Sequence, residues 1–433
     1  MSGLTAGAGR DIITPPVGGR LYGYAPDVYS ASVNDDLTAT AIVFKSGGAT
    51  VALVSATVCL INNGLSDDIR AAVSRETGIP AGNVILCATH THSGPCTAGN
   101  TGWGEVDREY VDSTFIPKIL AAVKTALGGL RPVVLGVGRV HSDIGVNRRQ
   151  FNKDNTISLG QNPWGCYDPA MTVLSFQSEA GEPVANIVHY GAHCTAAGKN
   201  AEITRDWAGV MIDRLEAESG ALTMFINGAE GDVGPRLTNG KTVGDIRYAM
   251  EHGALAANDA VRAYKKIAQY RQAGLSCACG TIELPYAPVM PLAQAREELK
   301  KFGSQNQINL GGRAYEYLSS VVRAYETGLP AETGFRFRQT VLRVGPVVFI
   351  PFPFEFFSEI SLRLRRFAPF PHVLCAGCAN GNNGYLPSRD QICRGGYEID
   401  MFRTSGVQTL ADTADDSIVA QNLKLTEELL CTE

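Results

Sequence analysis

Short apolar runs alternate along the chain with segments in which apolar residues recur every three or four positions. A short apolar run bounded by glycine, proline and polar residues is typical of a buried strand, whereas the longer period is typical of an amphipathic helix. The alternation predicts an α/β fold with mixed sheets and flanking helices, rather than a helical bundle or a β-sandwich.

The predicted strands and helices follow from these two patterns. The strands are expected at 40–44, 51–58, 84–88, 132–140, 171–176, 184–189, 222–226, 275–284, 335–344 and 347–350. The helices are expected at 66–77, 111–127, 207–218, 244–267, 292–302, 356–367 and 411–430. The turn residues Gly345 and Pro346 separate the last two strands and predict a hairpin.

Domain organisation is uniform at the level of composition. We find no internal repeat, low-complexity linker or strong change of composition, so residues 1–433 are predicted to form a single domain. A helical, charged segment near 291–327 is either a flap over a site or a solvated helical hairpin, and the pattern favours the hairpin.

Charge and hydropathy exclude several classes of partner. The chain carries 38 Lys and Arg against 43 Asp and Glu, with no long block of like charge, which argues against a nucleic-acid partner. Its apolar stretches are shorter than the roughly 20 residues of a membrane span. The first residues lack the basic and apolar regions of a secretory signal, so a cytoplasmic location is expected unless a leader has been removed. The predicted partner is a small molecule, and self-association is left open.

The 11 cysteines are an odd number spread over a large chain, which predicts that they are reduced and mostly buried. Cys375 and Cys378 have the spacing of half a zinc site, and Cys277 and Cys279 would have to supply the other half. Because two cysteines separated by one residue form an unusual half-site, buried small side chains are the favoured interpretation.

Four of the seven histidines fall in two short segments, 88–95 and 189–195. Each segment follows a predicted strand, and strand ends are where open α/β sheets place their sites. Since side chains two apart on an extended backbone share a face, His90 and His92 are expected to point into one pocket. A lone histidine is more often structural, but two clusters together favour a metal site.

Glu355 is the best candidate for a carboxylate ligand. It lies in the apolar segment 351–357, directly after a predicted strand, where an unpaired charge is costly to bury. The residue pattern alone leaves two partners equally open for Glu355. One is a metal ion, and the other is an arginine from the following helix, namely Arg363, Arg365 or Arg366.

Two polar loops complete the candidate chemistry. The glycine-rich loop 227–236, with Gly231, Asp232 and Gly234, would let backbone amides approach an oxyanion, although in isolation a tight structural turn is favoured. The loop 380–385 ends at Tyr385, with Tyr397 further on, and tyrosines in such loops usually pack as amphipathic caps.

The ordered set of these motifs resembles the catalytic domain of the neutral/alkaline, non-lysosomal ceramidases, which are zinc amidases that cleave the N-acyl bond of ceramide. The resemblance covers nearly the whole chain. It rests on Asp11 to Pro16, His90 to Pro95, Asn147, Arg148, His193 to Thr195, Asp206, Gly231 to Pro235, Glu355, Tyr385 and Tyr397.

The resemblance implies a metallohydrolase-like catalytic domain with a Zn²⁺ ion. The implied metal ligands are His90, His193, Glu355 and Tyr385, and the implied residues around the substrate carbonyl are His92, Arg148 and Tyr397. Zinc would bring the pKa of a bound water toward about 7. Because Gly234 stands where the family has a serine, attack by zinc-bound water is the favoured mechanism.

The end of the sequence, soon after Tyr397, is a second departure from the family. It predicts a fold without the C-terminal β-sandwich of the ceramidases. The leading hypothesis is therefore a zinc hydrolase of a lipid-like N-acyl amide. The alternatives are a zinc hydrolase of a small polar amide, ester or lactone, and a non-catalytic binding protein that keeps the fold.

Overall fold

The computed structural model describes residues 3–24, 28–99, 103–301, 310–328 and 333–430. Three larger sheets organise this part of the chain. The first contains, in spatial order, β6 (Val84–Ala88), β5 (Ala49–Ala56), β4 (Thr38–Ser46), β1 (Thr5–Ile12) and β8 (Arg131–Pro132). The second contains β15 (Leu222–Asn227), β13 (Pro183–Tyr190), β12 (Ala170–Gln177), β9 (Val134–His141) and β17 (Tyr270–Arg271). The third contains β18 (Leu275–Pro285), β19 (Gly334–Val344), β20 (Val347–Pro351) and β22 (His372–Ala376).

Shorter strands and the helices complete the fold. The short strands are β2 (Leu21–Tyr22), β3 (Ser32–Val33), β7 (Gly94–Pro95), β10 (Gly145–Phe151), β11 (Ile157–Asn162), β14 (Glu202–Ile203), β16 (Val233–Pro235), β21 (Glu355–Phe356) and β23 (Tyr385–Leu386). The helices are α1 (Asn63–Thr77), α2 (Arg108–Tyr110), α3 (Ile116–Gly128), α4 (Asp206–Ser219), α5 (Ile246–Lys265), α6 (Leu292–Leu299), α7 (Leu310–Thr327), α8 (Ser358–Phe367), α9 (Arg389–Ile392), α10 (Tyr397–Arg403) and α11 (Ala414–Glu428).

The sheets pack face to face, with helices on their outer sides. On β4, Ala41 and Val43 face the core beneath α1 and α3, whereas Ile42 and Phe44 face the core shared with the other two sheets. The second sheet is covered by α4 and α5, and the third by α8 and α11. Each sheet is therefore covered on one face by the other sheets and on the other face by helices, which explains why the strands are apolar on both faces.

Helix α3 lies directly on strand β1, at Gly7 and Gly9, which have no side chains. A Cβ atom at Gly7 would overlap the carbonyl oxygen of Ala126, and one at Gly9 would overlap that of Ala122. The two glycines therefore permit a helix–sheet approach that any larger residue would prevent. Strand β1 was not predicted, because these small residues lack the apolar signal of a strand.

The predicted α/β fold with mixed sheets and flanking helices is confirmed. The expected hairpin at Gly345 is present as the antiparallel pair β19 and β20. The predicted strand 132–140 is wrong as a single element, because β8 pairs in the first sheet and β9 in the second. Within the segment 291–327 the structure contains α6 and α7, and positions 302–309 lie outside the described residues.

Among the helices that the structure describes, none is long and apolar enough to cross a membrane.

A buried histidine in α5 predicts a loss of stability in acid. His252 is 3% exposed, packs against Trp207, and has an Nε2 atom with no hydrogen-bond partner. Burial lowers the pKa of His252 from 6.5 to about 4. The unfolded chain binds a proton at this histidine more tightly than the folded protein does. The contribution of His252 to the free energy of unfolding is therefore complete above pH 6.5 and is lost as the pH falls toward 4.

We expect His252→Gln to remove a decrease on the order of 3 kcal/mol in the free energy of unfolding across that interval. Urea unfolding at a series of pH values measures it. The exposed His141 supplies the control variant His141→Gln, which should keep the decrease. An unchanged pH dependence in His252→Gln would show that other groups cause the acid sensitivity.

Candidate metal centre

The carboxyl ends of strands from all three sheets meet at one place. His90 and His92 follow β6 of the first sheet, His193 follows β13 of the second, and Glu355 follows β20 of the third. Bridges between residues 87 and 379 and between 91 and 194 join these strand ends to one another. Residues far apart in sequence are therefore brought together by the sheet packing itself.

Three of these side chains converge on a common point. The Oε2 atom of Glu355 lies 3.3 Å from the Nε2 atom of His90 and 3.3 Å from the Nε2 atom of His193. Their ligand atoms all lie within 4.8 Å of one another, and all three residues are buried. This is the donor set of a zinc site with two imidazoles and one carboxylate.

The hydrogen bonds around the histidines leave their ligand atoms free for a cation. The Nδ1 atom of His90 donates to the carbonyl oxygen of Cys59 at 2.9 Å, and that of His193 donates to the carbonyl oxygen of Glu230 at 2.7 Å. In the neutral form of each imidazole, the Nε2 atom is therefore the one that presents a lone pair. Within the described ranges of the chain, the Nε2 atom of His193 and the Oε2 atom of Glu355 have no hydrogen-bond partner. Buried acceptors that face one another fit a metal ion.

The protonation states of His193 and Glu355 suit metal binding. His90 would instead release a proton to a cation, because burial, which lowers its pKa, is outweighed by Cys378, Cys59 and Glu355, which raise that pKa well above its usual range. Burial, together with the nearby guanidinium of Arg148, lowers the pKa of His193 to about 3, so this imidazole is neutral at pH 7. Burial alone would raise the pKa of Glu355, but His90 and His193 outweigh it and hold that pKa well below its usual range. A neutral imidazole and a carboxylate are the forms that bind a divalent cation.

His92 approaches the same point by a route that the sequence did not predict. Its Nε2 atom lies 3.2 Å from the Nε2 atom of His90. The reason predicted for this proximity, an extended backbone, is wrong, because His90 has a φ of 68° in the left-handed region. Gly23 and the ring of Tyr24 pack on His92, and a side chain at Gly23 would overlap the imidazole. They orient His92 toward the centre.

A second grouping of potential ligands shares His90. It consists of Cys59, His90 and His92. Burial raises the pKa of the Cys59 thiol, which keeps the sulfur protonated and makes it a poor ligand. The Sγ atom of Cys59 also lies nearest the Nδ1 atom of His90, which already donates to a carbonyl. The grouping with His193 and Glu355 is therefore the better metal site.

The cysteines form no four-thiolate cluster among the residues that the structure describes. All ten cysteines described are free, and most are buried. Cys378 donates from its Sγ atom to the Oε1 atom of Glu230 at 2.9 Å and lies 3.6 Å from the Nδ1 atom of His90. It therefore packs behind the candidate metal ligands.

Arg148 and two tyrosines form the polar wall next to the centre. Arg148 donates from Nη2 to the hydroxyl of Tyr385 at 2.9 Å, and the ring of Tyr397 lies 5.9 Å from that of Tyr385. Strands β21 and β23 pair Glu355 directly with Tyr385. The structure thus brings together Arg148, Tyr385 and Tyr397 beside the histidines.

Sequence reasoning missed the carboxylate that holds this wall. Glu398 is 1% exposed and accepts from the Nε atom of Arg148 and from the Nη1 atom of Arg149, at 2.8 Å each. It follows Tyr397 directly in the sequence, but no motif marks it. The role of Asn227 was also missed. Its side chain forms hydrogen bonds of 3.1 Å with the backbone of residues 89 and 192, and these bonds hold the two histidine loops together.

The arginines proposed as alternative partners of Glu355 lie elsewhere. Arg363 pairs with Asp415 and Asp416, and Arg365 pairs with Asp168. The guanidinium of Arg366 packs over the ring of Phe367. The buried charge of Glu355 therefore faces histidines.

The glycine-rich loop lies behind the site. The amide of Gly231 donates to the carbonyl oxygen of Phe356 at 3.0 Å, and the carboxylate of Asp232 accepts from the amide and hydroxyl of Ser358 at 2.8 Å. A Cβ atom at Gly234 would lie 2.6 Å from the Cβ atom of Thr242. Through these contacts the loop helps to position Glu355. Gly231, Asp232 and Gly234 do not line the cavity described next.

A cavity of about 960 Å³ opens onto His90, His92 and Glu355. Its walls are largely apolar and aromatic, and they come from residues before 104 and after 285 in the sequence. The aromatic and aliphatic residues that line it include Tyr22, Leu60, Trp103, Tyr286, Val289, Tyr325, Phe335, Phe354, Met401, Phe402, Val407 and Leu410. An apolar cavity that ends at a few convergent polar groups is the usual form of a small-molecule site.

The sequence and the fold match known proteins. Residues 4–250 match the N-terminal part of the neutral/alkaline non-lysosomal ceramidase family. Neutral ceramidase A of Dictyostelium discoideum is 25% identical over 260 residues, which are 54% of this chain and 36% of that protein. The alignment therefore spans about a third of that relative's length.

Two solved structures resemble the whole fold. That of neutral ceramidase from Pseudomonas aeruginosa aligns with a TM-score of 0.77 and 19% identity, over 99% of this chain and 75% of that one. A ceramidase complexed with C2 aligns with a TM-score of 0.76 and 18% identity, over the same shares. With more than half of its sequence matched by the family, this chain belongs to the neutral/alkaline non-lysosomal ceramidases.

Proposed function

We propose that the protein is a zinc-dependent hydrolase that cleaves the amide bond of an N-acyl compound. The observation that carries the proposal is the set of buried acceptor atoms on His90, His193 and Glu355, two of which have no partner. Tyr385, paired with Glu355 in adjacent strands, is the proposed fourth ligand. A zinc ion held there would lower the pKa of a bound water and polarise the substrate carbonyl.

The residues around the centre have distinct proposed roles. His92 presents an imidazole that burial, together with His90 and His193, keeps neutral by lowering its pKa, so the ring can orient the substrate by hydrogen bonding. Arg148 holds a fixed positive charge next to Tyr385 and would stabilise negative charge that develops on the carbonyl oxygen. Burial raises the pKa of Tyr397 to about 12, so this phenol keeps its proton and can donate a hydrogen bond there.

The form of the cavity supports an acyl chain as part of the substrate. Packing of an acyl chain against its aromatic walls would remove apolar surface from water, which contributes about 25 cal/mol of binding free energy per Å² buried. Each methylene that enters it should therefore add about 0.8 kcal/mol of binding, or nearly fourfold in affinity. The family relatives, which are named ceramidases, also point to an N-acyl substrate.

A series of N-acyl amides with a common amine and chains of 2 to about 12 carbons tests this proposal. We expect kcat/KM to rise by roughly fourfold per added methylene until the cavity is filled. Trp103 and Phe335 line the cavity, so replacing either with alanine should flatten the rise. A rate that falls with chain length would instead support a small polar amide, ester or lactone, and no turnover of any amide would support a binding protein.

A further inference from the structure

The cavity contains a positive group that the proposed chemistry does not use. Arg313, on the first turn of α7, lines the wall, and its Nη1 atom is buried without a hydrogen-bond partner among the residues described. A buried donor on a charged group is costly to leave unpaired, since charged groups lose more on desolvation than neutral ones. This nitrogen is therefore placed for a ligand.

The other guanidinium groups of the site do not have this freedom. Arg148 donates to both Glu398 and Tyr385. Arg149 donates to Glu398 and to the carbonyl oxygen of Gly395. Both are held by protein acceptors, so among the described residues that line the cavity Arg313 is the arginine with a donor left for a substrate carboxylate.

A second unpaired donor lines the same cavity. The Nδ2 atom of Asn382 is buried and has no partner in the described part of the chain, although its Oδ1 atom accepts from the amide of Gly384 at 2.9 Å. The bond at Oδ1 fixes the orientation of the amide group and leaves the NH₂ end for another acceptor. Arg313 and Asn382 thus both require an acceptor and can supply none of their own at these atoms.

The balance of charge in the cavity points the same way. Apart from the histidines, the described lining residues include one positive side chain, Arg313, and one negative side chain, Glu355. Glu355 is directed at His90 and His193, so its charge does not neutralise Arg313. Arg313 and Tyr397 line the same cavity, and the charge of Arg313 offsets a small part of the rise that burial causes in the pKa of Tyr397.

We propose that the cavity selects an N-acyl substrate whose amine portion carries a carboxylate, with Arg313 and Asn382 as the recognition residues. This rests on the proposed amide hydrolysis and narrows its substrate class. A carboxylate offers two acceptor oxygens to the planar guanidinium and amide donors, whereas a neutral alcohol cannot balance the charge of Arg313.

The test compares N-octanoylglycine with N-octanoylethanolamine, which share an acyl chain and differ in the carboxylate. We expect the zinc-loaded protein to have the higher kcat/KM for the glycine conjugate. Arg313→Gln should lower the ratio of the two values by about 10- to 100-fold, the size expected for a charge-assisted hydrogen bond. Arg313→Lys, which keeps the charge but loses the fork, should give an intermediate ratio.

The matched control is Arg323→Gln, since Arg323 is an exposed arginine on the same helix and should leave the ratio unchanged. A wild-type preference for the neutral amide, or an equal ratio in Arg313→Gln and wild type, would overturn the proposal. If Arg313→Gln fails to fold, the same reading applies to Arg313→Lys, in which an undiminished ratio counts against the guanidinium fork.

A binding measurement separates this proposal from the proposed reaction. If neither amide is hydrolysed, the proposed function fails, and N-octanoylglycine is then titrated calorimetrically into the metal-free protein. Weaker binding to Arg313→Gln than to wild type, by at least about tenfold, supports carboxylate recognition on its own. Equal binding to both proteins refutes it.

Discussion

His193→Ala is expected to abolish turnover and metal binding together. The variant removes one of the two imidazoles at the centre, and the remaining set of His90, Glu355 and the proposed ligand Tyr385 lacks the second imidazole of a zinc site with two histidines and a glutamate. We expect the zinc content to fall from about one per chain to near zero, and kcat/KM for an N-acyl amide to fall by at least about 1,000-fold. Elemental analysis and a rate assay on the same sample measure both.

The control for this variant is His141→Ala. His141 is exposed, pairs with Asp143 at the surface, and lies outside the cavity. It should keep both the metal and the rate, which separates the effect of the site from the loss of any histidine. If His193→Ala keeps its circular dichroism spectrum, its zinc and its turnover, the assignment of His193 as a ligand is wrong.

Glu398→Gln is expected to cause the largest loss of stability. The carboxylate of Glu398 is buried between Arg148 and Arg149, and the variant leaves two buried guanidinium groups without their counter-ion. Breaking a buried ion pair by removing one partner costs about 3 to 5 kcal/mol. Urea unfolding should show this decrease, and turnover should fall with it because Arg148 would no longer be held against Tyr385.

The matched control is Glu428→Gln. Glu428 is exposed at the end of α11, so its replacement should change the free energy of unfolding by less than about 0.5 kcal/mol. If Glu398→Gln were as stable as this control, the buried network would not be a main support of the site.

The sequence predicted the fold class and the centre because both depend on strong local signals. Apolar runs marked the strands, and His90, His193 and Glu355 each follow directly after one of them. Strand ends meet in α/β folds, so these residues were expected to be close together. What failed was local geometry, as with the left-handed conformation of His90, which depends on the neighbouring chain rather than on the residue type.

The residues that were missed act through contacts between distant segments. Glu398 pairs with arginines about 250 positions earlier, and Asn227 bonds a loop 138 positions away. Arg313 is an ordinary helix residue until the cavity is seen to contain its unpaired nitrogen. No periodicity or motif encodes such pairings, since they arise only when the three sheets are packed together.

His90, His193 and Glu355 are proposed to hold one zinc ion. Anomalous diffraction from crystals of the purified protein can locate that ion. Data collected above and below the zinc absorption edge should show a single strong peak at this centre. The peak should lie about 2.0–2.1 Å from both Nε2 atoms and about 2.0–2.2 Å from a Glu355 oxygen. If zinc-supplied crystals show no peak at this centre, or show the peak elsewhere in the protein, then His90, His193 and Glu355 do not form the zinc site.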